Sequence, residues 1–273
     1  MTTNSRLPGL TRLAVLAALA GALTGIVGAA FRMVLASAEQ ARASLVAWAH
    51  QFPMGWVIPV TIAAGLVATA YWLVQRFAPV AAGSGIQHVE AVMRGEAAPA
   101  PPAVLPVKFL GGALALGSGM ALGREGPTVQ MGATIGAALA ARTRCDDASV
   151  RTLQSAAAGA GLAVAFNAPL GGIVFVFEEL ARQFSTALMI ATLAAAGAGV
   201  LIARTLLGDS IEFTVVSPAE PSPPIIAACV LLGAVLGVLG AAYNRATIVM
   251  LDRVAALPLP GILCAAGIGA VFG

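Results

Sequence analysis

The stretch GSGMALGREGPTVQMGATIG, residues 117–136, decides how the rest of this sequence is interpreted. At its centre, GREGP places the charged pair Arg124 and Glu125 between two apolar, glycine-rich runs. Proline is tolerated at the first position of a helix, so Pro127 predicts a helix that starts immediately after a carboxylate. Free N–H groups at a helix N-terminus form an anion site. A carboxylate tethered beside such a site can occupy it, or move away and admit another anion.

The composition is that of an integral membrane protein. Of the 273 residues, 59% are hydrophobic and only 10% are charged, whereas soluble domains carry roughly 25% charged residues. The predominance of Ala, Leu and Gly, without strand-like alternation, indicates helices rather than a β-barrel. Such a chain has no room for a sizeable soluble domain. The formal net charge of +3 gives no reason to expect nucleic-acid binding.

Four long apolar segments are predicted to cross the bilayer, for which about 20 residues suffice. Arg6 and Arg12 precede the first of them and predict a cytoplasmic N-terminus. A further apolar run starts at Pro260 and reaches the last residue before it completes a crossing. The four segments are residues 13–35, with an amphipathic extension over 36–51, and residues 56–75, 184–207 and 224–251, the last two separated by a polar loop, 208–223.

Between the second and third of these segments lie five short apolar segments, each bounded by Gly or Pro. Residues 128–141 would span only roughly 21 Å as a helix, against a hydrocarbon core of roughly 30 Å. Broken helices are tolerated at membrane depth where protein or a water-filled cavity surrounds them, and in transporters their ends form the substrate site. The five segments are residues 82–93, 104–120, 128–141, 155–166 and 170–180.

A second motif, GSGIQ at residues 83–87, precedes one of the short helices. Ser84 fits the N-cap position of that helix, and its hydroxyl can donate to an anion instead. Taken alone, GSG is a common turn and a plain cap explains it. Together with GREGP it predicts two half-helices whose positive ends converge on one point. Each end contributes roughly 0.3–1 kcal/mol when exposed, and up to about 2 when partly buried.

A third motif, AFNAPLGGIVFVFEEL, occupies residues 165–180 and ends in Glu178 and Glu179. Acidic residues at a helix C-terminus oppose the helix dipole, so they need solvent, a basic partner such as Arg182, or a function. Two interpretations of this end stay open, a solvated interfacial end and a proton-transfer residue that faces the interior. Two interpretations also stay open for Glu125. It is either an anion gate that carries protons or a loop carboxylate that is paired with Arg124.

No metal or cofactor site is predicted from the remaining chemistry-bearing residues. The two histidines, His50 and His88, lack metal-ligand spacing, and the three cysteines are dispersed along the chain. Ser118, within a Gly-Ser-Gly turn, has no histidine base beside it, so a serine protease is not expected. The sequence therefore indicates a protein that is not an enzyme.

The three motifs occur in the order and spacing of the CLC chloride channel and transporter family. The sequence resembles in particular the bacterial proton-coupled chloride exchangers, which LPVKFLGG at residues 105–112 also resembles. The resemblance implies a fold of two inverted repeats, in a homodimer of the bacterial inner membrane that exchanges chloride and protons. By the same resemblance, residues 1–210 would form the first repeat and residues 211–273 an incomplete second repeat.

The resemblance also assigns roles to individual residues. Glu125 would be the external gating glutamate and Glu179 the internal proton-transfer glutamate, while Ser84 would coordinate chloride through its hydroxyl. Arg124 and the N–H groups around Gly126 would line the outer anion site. The residues of the two selectivity motifs are Gly83, Ser84, Gly85, Ile86, Gln87, Gly123, Arg124, Glu125, Gly126 and Pro127, of which Gly85 and Ile86 would join Ser84 at the chloride.

The sequence departs from the family pattern in two respects. Gln87 stands where the family usually has proline, so the anion preference is expected to shift. The GxFxP loop and the tyrosine of the family's second repeat are not found, since Tyr71 and Tyr243 lie elsewhere. Two alternatives to an exchanger therefore stay open, a passive chloride channel and a non-transporting fragment or assembly subunit that needs the second repeat.

Overall fold

The computed structural model describes residues 7–209 and 223–272, and within these ranges the chain is helical and contains no strand. A 3-10 turn, Pro79–Ala81, precedes α3, and a π-helical turn, Val176–Leu180, follows α7. The predicted all-α fold is therefore confirmed, while most of the predicted polar loop lies outside the described residues. The helices are α1 (Leu7–Ala49), α2 (Val57–Phe77), α3 (Ile86–Met93), α4 (Val104–Gly117), α5 (Glu125–Arg142), α6 (Asp147–Phe166), α7 (Pro169–Phe175), α8 (Thr186–Leu207), α9 (Pro223–Ala255) and α10 (Gly261–Phe272).

Four of these helices, α1, α2, α8 and α9, are long and apolar enough to cross a membrane, and they correspond to the four predicted spans. Helix α1 is one continuous helix of 43 residues, and it includes the predicted amphipathic extension, 36–51, except for its last two residues. At 1.5 Å per residue it is about 65 Å long, roughly twice the thickness of the hydrocarbon core. Its C-terminal half therefore extends beyond a simple crossing or the helix is strongly tilted.

Two of the predicted short helices are longer than expected. Helix α5 begins at Glu125 rather than after Pro127, and α6 begins at Asp147 rather than at residue 155. The predicted boundaries followed hydrophobicity, whereas the backbone hydrogen bonds continue through the polar residues that come first in each helix. Pro127 takes the third helical position, where its missing N–H still costs no intrahelical bond. Helices α3, α4 and α7 are short, with 8, 14 and 7 residues.

Helix α5 is the central element of the first compact unit. All its residues from 126 to 137 are buried. A Cβ added to Gly132 would overlap the carbonyl oxygen of Ala157 in α6, and one added to Gly161 of α6 would overlap the carbonyl group of Thr128. Small residues allow helix backbones to approach this closely in apolar surroundings. The position of α5, which carries Glu125, is thereby fixed by backbone contact with α6.

The same kind of packing joins α1 to α8. A Cβ on Gly21 would overlap the carbonyl oxygen of Ala195, and one on Gly25 would overlap that of Gly199. These two helices flank the α5–α6 pair through a core made largely of alanine, with Ala17 as a fully buried member. The first unit is therefore held together by close backbone approach rather than by large interdigitating side chains.

The described residues divide into two compact units, one of residues 7–209 with 265–272 and the other of residues 223–264. Helix α9 makes up most of the second unit and has no buried residue. In the first unit, Gly269 of α10 approaches Ala63 and Val67 of α2. The division into repeats at residues 210 and 211 stays a prediction.

Candidate functional site

The GSGIQ and GREGP motifs meet at one cavity. This cavity, of about 510 Å³, is lined by Gly83 and Ser84 from the loop before α3, and by Gly123, Glu125 and Gly126 from the start of α5. A Cβ added to Gly126 would lie 2.5 Å from the Ser84 hydroxyl oxygen and 2.6 Å from the Ser84 carbonyl oxygen. The two motifs are therefore in direct contact. We refer to this space as the Ser84 cavity.

A second cavity, of about 440 Å³, is lined by Glu39 and Arg42 of α1 together with Arg124 and Phe166. We refer to it as the Arg42 cavity. Glu125 lines both cavities. The carboxylate that the sequence predicts as a gate therefore belongs to the wall that the two cavities share.

The backbone that carries Glu125 is fixed by Thr128. The Thr128 hydroxyl lies 3.0 Å from the carbonyl oxygen of Arg124 and 2.9 Å from that of Glu125, so it can donate to either of them. The Glu125 carboxylate folds back over Gly123, where an added Cβ would overlap it. A side chain at position 123 would thus compete with the carboxylate for the same space, which explains why a glycine precedes the charged pair.

The predicted N-cap role of Ser84 is wrong. The N-cap of α3 is Gly85, with a φ of 92°, and no side chain caps this helix. A positive φ favours glycine, and a Cβ at this position would also overlap the side chain of Gln130. Because backbone conformation fixes the cap at Gly85, the exposed Ser84 lines the cavity instead of capping the helix.

Lys108 is a residue of this site that the sequence analysis did not single out. It is 4% exposed and lines the Ser84 cavity. Its Nζ donates to the carbonyl oxygens of Ala81 at 3.1 Å and Gly83 at 2.6 Å. A buried ammonium group is costly unless it is hydrogen-bonded, and these two bonds reduce that cost. The available signal was a single lysine inside an otherwise apolar helix.

Several other lining residues come from segments that carried no motif. Arg42 and Glu39 lie in the part of α1 that was predicted only as an amphipathic extension, and Tyr71 and Gln75 of α2 line the Ser84 cavity. These four residues are 50 to 86 positions away from Glu125 in the sequence, and only the packing of the helices brings them to the site.

The third motif is divided between two places. Phe166 lines the Arg42 cavity. Asn167 ends α6 in the left-handed region, with a φ of 52°, and its Oδ1 accepts a hydrogen bond of 2.8 Å from Arg204. Glu179 lies at the other end of the motif, exposed on the π-helical turn, with its Oε2 3.5 Å from Nη2 of Arg182. A surface pair of this kind contributes about 0–1 kcal/mol.

Three residues of the predicted GSGIQ site do not line the Ser84 cavity. Gly85 is buried beneath it, Ile86 is half-buried, and Gln87 is exposed as the second residue of α3. The structure therefore brings Gly83 and Ser84 to Glu125, and it leaves the side chain of Gln87 outside the described cavity wall.

The profile of the family described as "Voltage gated chloride channel" matches residues 65–273. The chain belongs to this family. It is 40% identical over 251 residues to the H(+)/Cl(-) exchange transporter ClcA of Vibrio vulnificus (strain YJ016), a match that covers 89% of this chain and 53% of the relative. It is 41% identical over 233 residues to the protein of the same name from Vibrio cholerae serotype O1 (strain M66-2), a match that covers 84% of this chain and 50% of the relative.

Solved structures of the voltage-gated chloride channel family show the same fold. A slow cyanobacterial Cl-/H+ antiporter superposes with a TM-score of 0.87 and 34% identity, over 95% of this chain and 63% of that protein. A CLC-type fluoride/proton antiporter superposes with a TM-score of 0.81, over 99% of this chain and 65% of that protein. Its sequence identity is 24%, so this likeness concerns the fold alone. The predicted family and fold are confirmed, and the chain is an integral membrane protein that spans about half the length of the curated relatives it matches.

Proposed function

We propose that this chain provides the chloride site and the glutamate gate of a proton-coupled chloride transporter in the bacterial inner membrane. The observation that carries the proposal is the position of Glu125 on the wall shared by the Ser84 cavity and the Arg42 cavity. A carboxylate there opposes the passage of an anion between the two cavities. The antiport named for the relatives from Vibrio and from a cyanobacterium supports the coupling to protons.

Chloride binds on the Ser84 side of this gate. The Ser84 hydroxyl donates to it, the N-terminal ends of α3 and α5 contribute positive partial charge, and the Lys108 ammonium adds a full charge nearby. On the other side, the guanidinium groups of Arg42 and Arg124 attract chloride into the Arg42 cavity, where the carboxylates of Glu39 and Glu125 offset their charge. This arrangement holds chloride without enclosing it, so the ion can leave.

Glu125 couples the two ions by alternating between two conditions. As a carboxylate it competes with chloride for the positive end of α5, and once chloride displaces it the side chain is free to take up a proton. Protonation removes the negative charge from the shared wall. When the protonated side chain later returns to the positive end of α5 and releases its proton, the proton has moved in the opposite direction to chloride.

Glu179 serves as the proton-transfer residue on the cytoplasmic side, in a homodimer with one such pathway in each subunit. Its exposed position on the π-helical turn gives it access to solvent, and its Oε2 lies 3.5 Å from Nη2 of Arg182.

Replacing Glu179 by glutamine is expected to reduce proton transport at least about tenfold while chloride transport continues, because a glutamine cannot carry a proton. The matched control is Glu178→Gln on the same turn, which removes another exposed carboxylate. Proton and chloride fluxes are measured in proteoliposomes for both variants. Equal losses of proton flux in the two variants would contradict a specific role for Glu179.

The proposal itself is tested with the unsubstituted full chain in proteoliposomes. An imposed chloride gradient is expected to drive protons uphill, recorded with a pH electrode, and the reversal potential should shift with the pH gradient. A chloride flux that does not depend on the pH gradient would contradict the exchanger and support the passive channel. Flux that requires a second polypeptide to be co-expressed would support the assembly-subunit alternative.

A further inference from the structure

Gln130 of α5 is a fully buried polar residue to which the chloride site proposed above gives no role. Its Nε2 donates a hydrogen bond of 2.9 Å to the carbonyl oxygen of Val80. Its side chain also lies where a Cβ of Gly85 would be, with Cδ at 2.6 Å and Cβ at 2.7 Å from that position. A single side chain therefore contacts both ends of the segment 80–85, in which Ser84 lies.

The orientation of the Gln130 amide follows from its partners. Its Oε1 is buried and has no hydrogen-bond partner among the described residues. Exchanging the nitrogen and the oxygen would place two acceptors, Oε1 and the Val80 carbonyl, against each other. A buried amide oxygen without a partner lowers stability, so an apolar side chain of similar length would avoid that cost. What the glutamine adds is the bond to Val80.

Gln130 and Lys108 together donate hydrogen bonds to three carbonyl oxygens of the segment 80–85. Gln130 donates to the carbonyl oxygen of Val80, and Lys108 donates to those of Ala81 and Gly83. Because a trans peptide unit is planar, the N–H of Ser84 points opposite to the Gly83 carbonyl and so away from Lys108. The direction of the Ser84 N–H is thus set by the bond from Lys108 to the adjacent Gly83 carbonyl, and the bond from Gln130 to Val80 fixes the start of the same segment.

We infer that Gln130 is a positioning residue that sets the affinity and selectivity of the anion site through the segment 80–85. The inference rests on the proposed function, since it takes Ser84 to be a chloride ligand. Gln130 itself lies outside both cavity walls among the described residues and touches no transported ion. Its effect reaches chloride only through the position of Ser84 against Gly126.

The test is the substitution Gln130→Met, which keeps the length of the side chain and removes the donor to Val80. The chloride KM is expected to rise about three- to tenfold, the range that corresponds to one hydrogen bond. The ratio of chloride to nitrate transport should change with it, whereas the number of protons moved per chloride stays constant. A purely structural role would lower the amount of active protein and the maximal rate, without moving KM or the anion ratio.

The chain offers a matched control in Gln154 of α6. This glutamine is also fully buried, and neither of its amide atoms has a hydrogen-bond partner among the described residues. Gln154→Met is therefore the same chemical change at a position without a bond to segment 80–85. We expect it to leave the chloride KM and the anion ratio unchanged. A rise in KM equal to that of Gln130→Met would overturn the inference.

Further outcomes separate the inference from the proposed function. If Ser84→Ala raises the chloride KM while Gln130→Met leaves it unchanged, the positioning role of Gln130 fails and the chloride site stands. If the unsubstituted protein shows no saturable chloride transport, the proposed function itself fails. If Gln130→Met does not fold, Gln130→Asn keeps an amide that is one methylene too short to reach Val80, and an unchanged KM in that variant overturns the inference.

Discussion

Replacing Glu125 by glutamine abolishes proton transport and leaves chloride moving passively down its gradient. Glutamine has the size of glutamate, so the packing over Gly123 is retained, but it can neither carry a proton nor present a negative charge. Because Glu125 lines both the Ser84 cavity and the Arg42 cavity, removal of its charge also removes the electrostatic barrier between them. We expect proton flux to fall by at least about a hundredfold, the lower end of the range for loss of a proton-transfer group.

The experiment compares the proton and chloride fluxes of the two proteins in proteoliposomes at several external pH values. In the unsubstituted protein both fluxes are expected to change together with pH, since the same side chain carries the proton and gates the anion. In Glu125→Gln the chloride flux is expected to be independent of pH, and the reversal potential should depend on chloride alone.

Glu39 provides the control for this prediction. It lines the Arg42 cavity, as Glu125 does, but it does not line the Ser84 cavity. Glu39→Gln therefore removes a negative charge from the same cavity without altering the shared wall, and it is expected to keep proton coupling. Proton-coupled transport that persists in Glu125→Gln would show that the gate is another residue.

The residues predicted from sequence and those found only in the structure differ in how their roles arise. Ser84, Glu125 and Gly126 could be predicted because their chemistry is local, since each combines a polar atom or a free N–H with a glycine- or proline-marked helix start. Lys108 donates to two carbonyl groups that lie 27 and 25 residues away, and Gln130 donates to one that lies 50 residues away. No local pattern records such a contact, because it depends on how α4 and α5 pack against the loop before α3.

The helix boundaries differ for a related reason. Hydrophobicity located the apolar part of α6 but not its first turns, because backbone hydrogen bonds continue through Asp147 and the polar residues that follow it. The N-cap of α3 was assigned to Ser84 from side-chain preference, whereas the backbone φ of Gly85 decides it. Sequence therefore identified two motifs that meet at the Ser84 cavity, whereas it placed the starts of α5 and α6 too late in the chain.

Adding one methyl group at Gly161 is expected to destabilise the protein more than any other conservative change proposed for it. In Gly161→Ala the new Cβ would overlap the Thr128 carbonyl group and lie 3.0 Å from the backbone nitrogen of Val129. These are backbone atoms of α5, so the contact cannot be relieved by a side-chain rotation, and α5 and α6 must separate. Overpacking of this kind costs about 1–3 kcal/mol, and occasionally more.

The matched control is Gly197→Ala, because Gly197 lies on the exposed face of α8 and its added Cβ would meet nothing within 4 Å. Alanine in a helix interior is favoured over glycine by roughly 0.5–1 kcal/mol, so this variant should be as stable as the unsubstituted protein or slightly more so. The free energy of unfolding is measured for both variants in detergent. Because Thr128 also fixes the backbone at Glu125, Gly161→Ala should lose proton coupling as well as stability. Equal stability of the two variants would mean that α5 is not held by backbone contact with α6, and the gate would then need another support.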